Sequence, residues 1–145
     1  MNAIAERFVV PAHAEYLPKI RDFSAAYARK NGLSREEQNS IKLSVDEICS
    51  NIVLYAYKGV ERGDIQIEFQ RKDNCVMIRI VDSGVAFDYS TVKTPDLDQY
   101  IEEGRKGGLG LQLVRKLNDE FRYERVNDKN IITLYKKVGQ APESD

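Results

Sequence analysis

Residues 64 to 70 read DIQIEFQ, polar and apolar in strict alternation. Only a β-strand has a side-chain period of two, so this segment fits a sheet with one face on a core and the other in water. An antiparallel sheet covered on one side meets that demand, whereas a parallel sheet buried on both faces does not. A second run, CVMIRIVD at 75 to 82, follows after RKDN, which predicts a hairpin. EFRYERV and NIITLYKK flank NDKN in the same way, and ERFVVPA predicts a short first strand closed by Pro11.

The other patterned segments have a helical period. Between Tyr16 and Lys30, Leu17, Ile20, Phe23, Ala26 and Tyr27 recur at threes and fours, with a glycine stop in KNGL. Ser34 with Glu37 predicts a capping box that opens a second helix. Its expected buried stripe is Ile41, Val45, Ile48, Ile52 and Tyr55, and its end lies near Lys58 and Gly59. A third helix is predicted from Leu109 to Asp119, after a long irregular stretch, 83–107, whose length suits a lid. Helices and antiparallel strands are segregated, so the expected fold is α+β: a two-layer α/β sandwich with three main helices on one face of a mixed, mostly antiparallel sheet. A chain of 145 residues suits one domain, 1–145, with its core at about 5–138.

Charge and composition remove several function classes. Lys and Arg number 22 against 23 Asp and Glu, a net charge of −1, so no basic excess draws the chain to nucleic acid or an anionic membrane. The longest apolar run, IVLYAY, is far too short to span a bilayer, and the expectation is a soluble, cytoplasmic protein. Cys49 and Cys75 form no Cys-x-x-Cys pair and read as reduced core residues. The sole histidine, His13, lies between Pro11 and Pro18 as a surface or strand-end residue, so neither a histidine metal site nor a Ser-His-Asp triad can be assembled.

Three short stretches carry chemistry. In SVDEICSN, Glu47 and Asn51 are one helical turn apart and flank the apolar stripe; a carboxylate can take a proton from a hydroxyl, and an amide oxygen is a hard ligand suited to Mg²⁺. In IVDSGVAFD, Asp82 ends an apolar strand and can accept from an exocyclic amine, while Gly84 lets backbone approach a flat ring. In GRKGGLGLQLV, Gly107, Gly108 and Gly110 gather backbone N–H groups at a helix start, which favours phosphate, and Arg105 and Lys106 add charge. The Gly-Lys-Ser/Thr ending of a Walker A loop is absent, and no Rossmann strand precedes the glycines. Each stretch alone is ordinary: a solvated helix face, a turn, a hinge.

Their order and spacing together resemble the N, G1 and G2 boxes of the GHKL ATPases, a superfamily that includes gyrase, histidine kinases and mismatch-repair proteins. Within it, LSVDEICSNIVLYAY and GGLGLQLVRKLNDEFRYE are most similar to the anti-sigma factor serine/threonine kinases of the RsbW type, over residues 5 to 138. The resemblance implies a GHKL-type ATP-binding domain and an ATP- and Mg²⁺-dependent protein serine/threonine kinase. It implies Glu47 as general base, Asn51 as Mg²⁺ ligand and Asp82 as reader of the adenine amine with Gly84 beside the ring. Gly108, Leu109, Gly110 and Leu111 would offer N–H groups to the triphosphate, with Arg105 and Lys106 as lid cations, and Thr133 would support Asp82. Ala86 stands where the fuller G1 pattern has a second glycine, which implies a different or stiffer turn into the lid. Implied partners are an anti-anti-sigma (STAS-domain) protein as substrate, a sigma factor held when that protein is absent, and a second copy in a homodimer. Two other classes fit the same residues: a non-catalytic nucleotide-binding adaptor that regulates a protein partner, and a plain protein-interaction domain without nucleotide.

Overall fold

The computed structural model describes residues 4–86 and 108–139. Strand β1 (Ile4–Pro11) leads through a 3₁₀ turn to helices α1 (Leu17–Lys30) and α2 (Arg35–Asn51). Strands β2 (Asp64–Lys72) and β3 (Cys75–Asp82) follow, then helix α3 (Gly108–Leu117) and strands β4 (Glu120–Val126) and β5 (Lys129–Lys137). The sheet order is β1-β2-β3-β5-β4. Among the described residues every pairing is antiparallel, where a mixed, mostly antiparallel sheet was expected.

Alternation sorts the strands as the sequence requires. Ile65, Ile67 and Phe69 of β2, Val76, Ile78 and Ile80 of β3, and Ile132 and Leu134 of β5 are all buried on the helical face. Gln66 and Arg79 take the other side. Helices α1 and α2 cover that inner face with Ile20, Tyr27, Ile41, Val45 and Ile48. Each such side chain stabilises the fold by about 1.5–3 kcal/mol relative to exposure. Within α1, Ser24 is buried and Ala26 exposed, so the stripe runs through Ile20, Ser24, Tyr27 and Ala28 rather than through Ala26. The buried Ser24 hydroxyl donates to the Ile20 carbonyl, which satisfies it within the helix.

Local chemistry sets the element ends. Ser34 caps α2 by accepting from Glu37 N at 3.1 Å, while Glu37 Oε1 accepts from Ser34 N at 2.8 Å, completing the expected capping box. The β4–β5 loop holds Asn127 and Asp128 at φ 51° and 63°, the left-handed pair that a two-residue hairpin with the strand twist requires. One expectation fails at the end of α2. Ile52–Ala56 winds as a π-helix, whose wider turn breaks the 3.6-residue phase. Tyr55 therefore turns outward, 40% exposed, while Ile52 and Tyr57 are buried. Cys49 lies in the core as expected, but Cys75 is only half-buried, because its strand parity places it with Met77 on the outer face.

Among the described residues, no helix is long and apolar enough to cross a membrane.

Candidate active site

Helix α2 carries the first two candidate side chains, Glu47 and Asn51. Its buried positions, Ser44, Val45, Ile48 and Cys49, leave Glu47 and Asn51 at the margin of the apolar stripe, both half-buried. Leu111 and Val114 of α3 are buried in the same core, and Asn118 Nδ2 donates to Ser44 Oγ at 3.0 Å, tying the end of α3 to α2. This contact brings Glu47 onto the first turn of α3. A methyl group added at Gly110 would overlap Glu47 Oε2, so only glycine permits the carboxylate to lie there. Burial, together with the neighbouring Asp46, raises the pKa of Glu47 above the ordinary carboxylate value, the direction a general base needs.

Strand β3 delivers Asp82. It shares parity with Ile78 and Ile80, so it faces the helices and is buried at the sheet end. Its Oδ1 accepts from Gly84 N and from Asn130 Nδ2, each at 2.8 Å. Burial raises its pKa, and the bonds from Asn130 and Gly84 and the charge of Arg125 only partly oppose that rise. The next turn is fixed on both sides. Ser83 N donates to Tyr57 Oη at 2.9 Å, and Val85 N donates to the Ala56 carbonyl at 2.6 Å. A Cβ at Gly84 would overlap that same carbonyl, so glycine is required here by close approach, its φ being negative. Ala86 is likewise outside the left-handed region, so its methyl group imposes no strain on the turn.

Asn51, Ile52, Tyr55, Asp82 and Val85 line a narrow cleft of about 20 Å³ between the end of α2 and this turn. A larger hollow of about 720 Å³ lies on the outer face of the sheet beside Met77 and Tyr135, but it contains none of the motif residues. The smaller cleft, which gathers Asn51 and Asp82, is therefore the candidate site. The Asn51 amide nitrogen is buried there with no hydrogen-bond partner among the described residues. An unsatisfied buried amide costs free energy unless a ligand meets it, and by turning over it presents either its oxygen or its nitrogen. Among the described residues no cluster of three metal-binding side chains occurs, so a Mg²⁺ ion at Asn51 would take its other ligands from phosphate and water, as Mg²⁺ commonly does. The residues present thus fit a Mg²⁺–nucleotide.

Gly108, Leu109, Gly110 and Leu111 form the start of α3, where backbone N–H groups are unpaired by the helix. Arg105, Lys106, Gly107 and most of the predicted lid, 83–107, lie outside the described residues. Thr133 does not support Asp82. Register pairs it with Arg79 and Arg122, on the opposite face, whereas Asp82 pairs with Asn130. Side-chain parity reverses at every residue of a strand, so a threonine three positions away cannot share the face of Asp82. Asn130 takes that place, with Tyr123 and Arg125 behind it. Sequence reasoning missed all three because the β3–β5 register is a long-range property, although counting back from the NDKN turn pairs Arg125 with Asn130.

A family model described as "Histidine kinase-like ATPase domain" matches residues 10–136. Serine-protein kinase RsbW from Bacillus mycoides is 33% identical over 138 residues, covering 92% of this chain and 84% of that protein, and RsbW from Bacillus thuringiensis matches to the same extent. Among solved structures, a chain of the SiaB-SiaC complex from Pseudomonas aeruginosa superposes with a TM-score of 0.59 at 15% identity, over 92% of this chain and 89% of that one. The histidine kinase domain of a blue-light activated histidine kinase from Erythrobacter litoralis gives 0.56 at 17% identity, over 89% and 62%. Those two likenesses concern the fold. With a family model and one-third identity both spanning most of its length, the chain belongs to the histidine kinase-like ATPase domain family, and within it to the serine-protein kinases of the RsbW type.

Proposed function

We propose that this kinase transfers the γ-phosphoryl group of Mg²⁺-ATP to a serine or threonine of an anti-anti-sigma (STAS-domain) protein, and binds a sigma factor when that protein is absent. The observation that carries the reading is the placement of Glu47 against Gly110, which sets a carboxylate base at the helix start suited to hold phosphate. Asp82 accepts from the adenine amine, and the first turn of α3 donates N–H groups to the phosphates. Arg105 and Lys106 add charge from the lid. Asn51 would hold Mg²⁺, which would supply charge neutralisation at the phosphate oxygens. Glu47 takes the proton of the acceptor hydroxyl as its oxygen bonds to phosphorus and ADP leaves with the bridging electrons. Phosphoryl transfer is chiefly positioning and charge stabilisation, which these groups supply.

One surface offered in turn to two proteins makes a switch, because phosphorylation of one partner changes occupancy by the other. The relatives named serine-protein kinase RsbW support that reading. The protein acts as a homodimer in the cytoplasm. Calorimetric titration with ATP tests the site: binding weakens when Mg²⁺ is withheld or in Asn51→Ala. With labelled ATP and a STAS protein, Glu47→Gln keeps nucleotide binding and loses phosphotransfer. Binding without any transfer by the unaltered protein would indicate an adaptor; no binding would remove the nucleotide site altogether.

A further inference from the structure

Three side chains from adjacent strands stand in one cross-strand row. Arg125 of β4 lies opposite Asn130 of β5, and Asn130 lies opposite Asp82 of β3. The Asn130 amide uses its whole bonding capacity in that row. Its Nδ2 donates to Asp82 Oδ1 and to the Val85 carbonyl, both at 2.8 Å. Its Oδ1 accepts from Tyr123 Oη at 2.5 Å and from Arg125 Nη1 at 3.0 Å. The same Arg125 nitrogen donates to the Gly84 carbonyl at 2.8 Å.

The polarity of the row follows from which groups can reverse. A tyrosine hydroxyl either donates or accepts, and an amide can turn over, but a guanidinium only donates. Arg125 therefore fixes the oxygen of Asn130 toward itself and the NH₂ group toward Asp82. A reversed amide would set NH₂ against the guanidinium and oxygen against the carboxylate, both repulsive. With Oδ1 of Asp82 taken by Asn130 and Gly84, its Oδ2 is left to accept from a ligand.

Building on the reading of Asp82 as acceptor for the adenine amine, we propose that Arg125 is a specificity-positioning residue: through Asn130 and the Gly84 carbonyl it holds Asp82 as an acceptor, and so selects a 6-amino purine over a 6-oxo purine. Arg125 does not touch the base. A 6-oxo base would bring a second acceptor against the carboxylate, whereas a 6-amino base donates to it. Without Arg125, the Asn130 oxygen keeps only Tyr123 as a donor, the Gly84 carbonyl loses its partner, and Asp82 loses a neighbouring positive charge, so the row that positions the carboxylate is loosened.

The test is calorimetric titration with Mg²⁺-ATP and Mg²⁺-ITP, which differ at the 6-position of the base. Arg125→Ala weakens ATP binding by about tenfold and changes ITP by less than about twofold, because only the 6-amino base donates to the carboxylate that Arg125 positions. Arg125→Lys retains most of the preference, because an ammonium is also donor-only. Arg122→Ala, which removes a guanidinium three residues away on the opposite face of β4, leaves both affinities unchanged. A merely structural role for Arg125 predicts equal weakening of both nucleotides; that result, or an unchanged ATP-to-ITP ratio, overturns the proposal while leaving the nucleotide site intact. Failure of the unaltered protein to bind ATP overturns it together with the proposed function.

Discussion

At Asp82, folding and the proposed adenine recognition make opposed demands. Burial raises its carboxyl pKa from the ordinary 3.8, and the bonds from Asn130 and Gly84 and the charge of Arg125 only partly offset that. The native state therefore keeps a proton over a window in which the unfolded chain has lost it. Stability falls as pH rises from that ordinary value through the raised one, and stays lower above it. Asp82→Asn removes the buried charge and keeps an oxygen for Gly84 N and Asn130. The expected outcome is a melting temperature a few degrees higher than wild type at neutral pH, a difference that shrinks as the medium is made acid, with ATP binding lost. Scanning calorimetry across pH beside an ATP titration checks both halves; a variant less stable at neutral pH would show that the carboxylate is net stabilising.

Helix α2 is set at its two ends by different devices. At its start, Glu37 is pushed upward in pKa by burial, but hydrogen bonds from the backbone of Ser34 and Gly139 outweigh this and hold it below the ordinary value. Glu37 Oε2 accepts from Gly139 N at 2.7 Å, so the cap also anchors the chain beyond β5. This contribution is present above the unfolded carboxylate pKa and is lost as pH falls through the depressed one. Ser34→Ala is expected to cost about 1 kcal/mol in urea denaturation, the usual worth of an N-cap. At the other end, the π turn carries Ala56 to Gly84 and Val85, a junction that helical periodicity gave no sign of.

At the scale of the whole molecule, β3 is the central strand, flanked by β2 and β5, and its inner face meets the helices. Ile78 is fully buried at its middle. Ile78→Ala should cost about 3 kcal/mol, lowering the urea midpoint with no change in m-value if the domain unfolds as one unit. A change in m-value would instead indicate that the sheet and the helical layer separate.

Much of this architecture was legible in the residues because it is periodic. Alternation in DIQIEFQ, the Ser34–Glu37 box and the NDKN turn are local, and local sterics and hydrogen bonding decide them. The same locality placed Glu47 and Asn51 on one face of α2 and Asp82 at a strand end. What the sequence could not fix was which strand residue stands opposite Asp82. Thr133 and Asn130 are both small polar residues of β5, and only the β3–β5 register separates them. The π turn that exposes Tyr55 and the approach of Glu47 to Gly110 also await tertiary packing, because each depends on surfaces far apart in the chain. Sequence by itself determined the periodic elements and which of them carry the candidate side chains; packing of α3 on α2 and pairing of β5 with β3 decided how those side chains meet, because both are contacts between segments far apart in the chain.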